Sequence, residues 1–153
     1  MKTITRDDIQ DLDICYSERK LERYFPEDEL VVNLDLLPRL LKMPGDDICH
    51  VLAQLLRPPH QLEWAKAAYL RIPVYLTIAQ QFYPYYRTNQ ASLDADLHNL
   101  EVGAPKNYDL YHAAGYIAKV VQNAAHAAKL RVAEKKISYS HALTLLMSQE
   151  SQE

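Results

Sequence analysis

Residues 107–134 read NYDLYHAAGYIAKVVQNAAHAAKLRVAE, and this stretch decides the fold class. It contains no proline, and its only glycine is Gly115. Alanine recurs at Ala113, Ala114, Ala118, Ala124, Ala125, Ala127, Ala128 and Ala133. Alanine loses the least on entering a helix, so the composition predicts one long helix from Asn107 to Glu134. At about 1.5 Å per residue it spans roughly 40 Å, the width of a small domain. Its small side chains let neighbouring helices approach closely. Val121 is assigned to the buried face.

Outward from that helix, the chain reads as helices separated by clear breaks. Gly103-Ala104-Pro105 is a linker, and Asn89 caps a helix carrying Leu93, Leu97 and Leu100. A segment from about His60 to Phe82 contains Pro73, which is expected to kink or split it. Pro58-Pro59 ends a preceding helix that carries Ile48, Val51, Leu52, Leu55 and Leu56 after a start at Asp46 or Asp47. Further back, Asn33 or Asp35 caps a short helix with Leu36, Leu37, Leu40 and Leu41. Leu30-Val31-Val32 is a brief extended piece. Thr5 caps a first helix with Asp7 and Asp8 in its first turn, and a second begins near Ser17. Ser138 is expected to cap the last helix. There is no Asn-Gly or Asp-Gly hairpin turn and little alternation, so strands are scarce. The expectation is an all-α, compact bundle of seven to nine helices around the Ala-rich C-terminal helix. It forms a single helical domain over 1–153, with sub-lobes 1–57 and 58–150 compatible with the punctuation.

The bulk numbers set further bounds. Of 153 residues, 48% are hydrophobic, enough for a core. The net charge of -3 is unevenly spread: residues 1–49 carry -5, residues 50–103 are neutral, and residues 104–153 carry +2. No apolar run reaches the ~20 residues that span a bilayer, and the polar, acidic N-terminus does not read as a signal peptide. Cys15 and Cys49 suit free thiols in a reducing cytosol.

Chemistry-bearing patterns are few. With glycines only at 45, 103 and 115, no phosphate-cradling loop can be written, which argues against nucleotide cofactors. No Gly-x-Ser-x-Gly occurs, and neither Cys15 nor Cys49 reads as a nucleophile. Cys49-His50 has no partner motif for zinc. Asp94, His98 and Glu101 fall on one helix face by their spacing of four and three. They are the weak candidates for a divalent metal, against the plainer reading of a wet surface. His112 and His126 share a face about four turns apart and cannot hold one ion. Lys129, Arg131, Lys135 and Lys136 form the only basic cluster, at a helix end where cations are favoured anyway, so direct nucleic-acid binding is not expected.

The aromatic inventory is the best functional clue. There are 11 tyrosines against 2 phenylalanines. Phe82-Tyr83-Pro84-Tyr85-Tyr86-Arg87 concentrates four aromatics and an arginine where the chain must turn. Either this loop plugs the end of the bundle, with Arg87 capping a carboxylate, or it is a patch for a protein partner. In the second reading Tyr83, Tyr85, Tyr86 and Arg87 carry binding, with Tyr108 and Tyr111 alongside.

The order of these pieces is similar to a known family. Thr5-x-x-x-Ile9-x-x-Leu12-x-x-Cys15, a short helix ending Tyr24-Phe25, and Asp46-Asp47-Ile48-Cys49-His50-Val51-Leu52 follow a module found in small phage and bacterial proteins. Trp64 to Tyr83, the loop with Pro84 and Arg87, and the Ala-rich helix from Tyr111 to Ala133 resemble the helical immunity-protein family of those genomes. The resemblance implies a cytoplasmic helical bundle of the immunity or counter-defence type, anti-CRISPR action included. Such a protein is no enzyme and uses no cofactor; it occludes a protein effector stoichiometrically. Two alternatives stand beside it: a small metal-dependent hydrolase using Asp94, His98 and Glu101, and a structural protein that self-associates as a homo-oligomer.

Overall fold

The computed structural model describes residues 2–12, 18–43, 45–103 and 107–149, and all side chains in those ranges except those at 18, 20, 21, 45–47 and 107–109. Cys15, Tyr16 and the proposed helix start at Ser17 lie outside the described residues. So do the side chains of Asp46, Asp47 and Tyr108.

The described residues form a helical bundle with one small sheet. Strand β1 (Thr3–Thr5) pairs antiparallel with β2 (Glu29–Val31), with Ile4 opposite Leu30. Helix α1 (Arg6–Gln10) opens on a reciprocal cap: Thr5 Oγ1 accepts from the Asp8 amide, and Asp8 accepts from the Thr5 amide. Helix α2 (Glu18–Tyr24) precedes β2. Next come a 3₁₀ turn, Leu34–Leu36, capped by Asn33, and α3 (Leu37–Leu41), whose Pro38 sits harmlessly in the first turn. Four longer helices and α4 complete the chain: α4 (Gly45–Leu55), α5 (Pro58–Phe82), α6 (Gln90–Val102), α7 (Asn107–Ala127) and α8 (Arg131–Ser148).

Helix α7 is the hub, with α4, α5, α6 and α8 all packed on it. Its alanines do what their size predicts: Ala113, Ala114, Ala118, Ala124 and Ala125 are buried against these neighbours, as are Ile117 and Val121. Gly115 is needed for one close approach, because a Cβ there would lie 2.7 Å from Nδ1 of His50. Buried residues from both stretches, 1–57 and 58–150, join one cluster running from Ile4 to Leu146.

Three sequence expectations are corrected. The Ala-rich stretch is not one helix. It breaks at Ala128–Leu130, where Lys129 takes a left-handed conformation with φ of 65°. The Leu130 amide donates to the Ala125 carbonyl (2.7 Å) and the Lys129 amide to the His126 carbonyl (3.0 Å), the paired bonds that close a helix C-terminus. Propensity loses here to burial, since the turn folds α8 back to pack Tyr139, Ala142, Leu143 and Leu146 into the core. Ser138 is therefore a buried mid-helix residue, not a cap, and its carbonyl accepts from Trp64 Nε1 (2.9 Å). Helix α5 is continuous through Pro73, so the proline does not split it; the backbone bond it removes lies on the exposed face, and buried Ile72 and Tyr75 beside it keep the helix packed.

Contacts along α8 set the directions. Gln149 meets Arg57, Ser138 meets Trp64, and Glu134 meets Arg71, so α8 runs antiparallel to α5. Helix α8 also returns along α7, with Gln122 Nε2 donating to Tyr139 Oη (3.1 Å). Helices α5 and α7 are thus parallel, and their C-termini lie at the same end of the bundle. Among the described residues no helix is long and apolar enough to cross a membrane.

Candidate functional site

That shared end carries the tyrosine-rich loop. Helix α5 finishes with the Tyr83 amide on the Ala79 carbonyl (2.8 Å). The next four residues close a tight turn: the Tyr86 amide donates to the Tyr83 carbonyl (2.9 Å), and Pro84 fixes φ at the second position. Two side chains then hold the turn from behind. Gln80 Nε2 (3.1 Å) and Arg87 Nη1 (3.0 Å) both donate to the Tyr86 carbonyl. Asn89 restarts the chain as a helix by accepting from the Ser92 amide (3.1 Å).

This framework sorts the aromatics. Tyr86 points inward and is half-buried, and the loss of water around it pushes its hydroxyl above the usual tyrosine range. Tyr85, at the tip, is 89% exposed, while Tyr83 is 55% and Phe82 46% exposed. The floor beside them comes from the last turns of α7: Asn123, His126 and Ala127 line a shallow depression with Tyr83 and Tyr86. Lys129, held in its left-handed turn, sets Nζ 4.2 Å from the Phe82 ring centre. A lysine in that backbone region costs on the order of 1 kcal/mol, and here it places a cation over an exposed ring.

The loop's residues divide between the inside and the outside of the bundle. Tyr86 fills the bundle end as a plug does, whereas Phe82, Tyr83 and Tyr85 stand outside it. Arg87 caps a carbonyl, not a carboxylate. Tyr111 does not lie alongside. It stacks on His112 (ring centres 4.6 Å apart) near the start of α7, roughly 22 Å along the helix from His126. His112 and His126 are likewise separated in role: His112 packs edge-on to His50 (5.7 Å), and His126 borders the tyrosine patch. Lys129, Asn123 and His126 were not singled out for this site in the sequence, because their membership depends on the break after α7.

The metal candidates are not brought together. Asp94 Oδ1 accepts from Tyr69 Oη (2.6 Å) and Gln90 Nε2 (2.8 Å) on the α5–α6 seam, and that carboxylate raises the Tyr69 hydroxyl. His98 and Glu101 are exposed further along α6. Among the described residues no group of three or more His, Cys, Asp or Glu side chains could hold a metal ion. A separate open cleft between α4, α6 and α7 is lined by His50, Asp96, Asn99, His112, Tyr116 and Lys119. Burial raises the Asp96 carboxyl there.

No protein-family model matches the chain, and no curated protein or solved structure matches it either.

Proposed function

We propose that this chain works by binding a protein, without catalysis, through the turn Tyr83–Arg87 and the neighbouring Phe82 and Lys129. The observation that carries this reading is the exposure of Tyr85 on a backbone already fixed by three hydrogen bonds to or within its turn. A ring presented on a rigid turn loses little conformational entropy when a partner covers it. Burying about 150 Å² of such a ring at about 25 cal/mol per Å² contributes roughly 4 kcal/mol before other costs, the scale of an interface anchor. Tyrosine and arginine are the residue types that dominate such anchors.

The mechanism is stoichiometric occlusion: the bundle is a rigid solid, and its tyrosine-bearing end covers a functional surface of an effector. The likeness to helical immunity proteins directs the choice of effector to a toxin or a nuclease-based defence complex, a CRISPR-type complex among them, met in the cytoplasm of a bacterial cell. A photoreactive benzoylphenylalanine in place of Tyr85 tests this directly. Irradiation in the cells that carry the chain should give one discrete adduct with a protein, absent when the same probe replaces exposed Lys66. Identical adduct patterns at both positions would count against the reading.

A further inference from the structure

Two segments build the aromatic end, and neither contains a carboxylate. From Trp64 to Leu93, and again from Leu110 to Ala133, the chain has no aspartate or glutamate. The acids that follow these segments are already engaged: Asp94 by Tyr69 and Gln90, and buried Glu134 by Arg71 and Tyr75. The cations of this end, Arg87, Lys129 and Arg131, are exposed. Residues 1–49, by contrast, carry -5, and their strand β1 lies against Gln54, Leu55 and Leu146, near the opposite end of α8.

Resting on the protein-binding reading above, we infer that the partner surface is a short acidic segment with a hydrophobic socket. The socket receives Tyr85, and its carboxylates meet Arg87, Lys129 and Arg131. A guanidinium such as Arg87 suits bidentate pairing with a carboxylate, and a ring between cations is screened from basic surfaces by their charge. Nucleic acid fits less well. A polyanion gains affinity from many phosphate contacts, whereas this end offers Arg87, Lys129 and Arg131, with Lys135 and Lys136 a turn further along α8, on a chain of net charge -3 and pI near 6.1.

Panning a displayed dodecapeptide library on the full-length chain tests the inference, with oligo(dT) as the nucleic-acid probe. The expected result is recovery of peptides in which Asp and Glu flank a large apolar residue. Their affinity should fall at least about tenfold in Tyr85→Ala, and as strongly in Arg87→Glu/Arg131→Glu. It should also weaken as NaCl rises from about 50 to about 500 mM. Tyr85 and Arg131 are exposed and their side chains make none of the bonds that hold the turn, so Tyr85→Ala and Arg131→Glu keep the fold, and Arg131→Glu alone reads the charge effect apart from the Arg87 bond to the Tyr86 carbonyl. Recovered peptides that lack acidic enrichment yet still depend on Tyr85 would overturn the inferred partner chemistry and leave protein binding standing. Peptides bound equally by wild type and Tyr85→Ala would overturn both. Oligo(dT) binding that outcompetes the peptides and vanishes in the same variants would replace the inference with nucleic-acid recognition. Self-association seen by light scattering and abolished by the charge reversals would replace it with a second copy of the chain.

Discussion

Arg71 and Glu134 meet across the α5–α8 seam in a two-pronged pair, Nε to Oε1 at 2.6 Å and Nη2 to Oε2 at 2.9 Å. Glu134 is fully buried, and Tyr75 Oη donates a third hydrogen bond to it at 3.0 Å. The pair fastens the first turn of α8 to α5 on the approach to the aromatic end. Removing one partner leaves a buried charge poorly compensated. Arg71→Ala should therefore cost about 3 kcal/mol in urea unfolding, with an unchanged slope. A loss below about 1 kcal/mol would show that Glu134 is not held as a buried anion.

Tyr75 gives the same network a pH signature. Burial first, and then the Glu134 charge, push its hydroxyl up to about 12 from the ordinary 10. A group raised in the folded state contributes stability that is whole below its unfolded value and lost as pH climbs through its folded one. The window here is pH 10 to 12. Wild type should lose stability across it more steeply than Tyr75→Phe, by up to about 1.4 kcal/mol per pH unit. Parallel curves for the two proteins would contradict the placement of Tyr75.

Asp96 follows the same rule in the acid range. Burial raises its carboxyl above 3.8, so its charged form is disfavoured in the folded chain. The favourable contribution is present at acid pH and lost above the folded value. Asp96→Asn should unfold at higher urea than wild type at pH 7 and show no gain near pH 3. A variant weaker than wild type at pH 7 would mean that the cleft residues around it, His50, His112 or Lys119, hold the carboxylate in place.

Much of the fold was legible in local chemistry. Thr5, Asn33 and Asn89 cap helices as their side chains predict, and Gly103 ends α6 in the left-handed region that glycine favours. The alanines and Val121 of α7 are buried as periodicity requires. The break at Lys129 was not legible, because lysine carries no turn signal and the fold-back is set by what α8 buries against α5 and α7. Pro73 does not end its helix because the one backbone bond it removes falls on the solvent side, and the packed turns before and after it outweigh that loss. Of the candidate site, the exposed Tyr83 and Tyr85 follow from the loop sequence alone. Tyr111 lies away from the loop because α5 and α7 run parallel, a direction set by the contacts of α8 with both helices, Trp64–Ser138 and Arg71–Glu134 on one side and Gln122–Tyr139 on the other.

The central claim is that the useful part of this molecule is an aromatic turn on its outside. The most direct measurement pairs thermal melting of Tyr83→Ala/Tyr85→Ala with its affinity for the protein crosslinked at position 85. The predicted result is a melting temperature within about 2 °C of wild type and binding weakened at least about tenfold. Undiminished binding by the double variant, or a collapse of its melting temperature, would contradict the account.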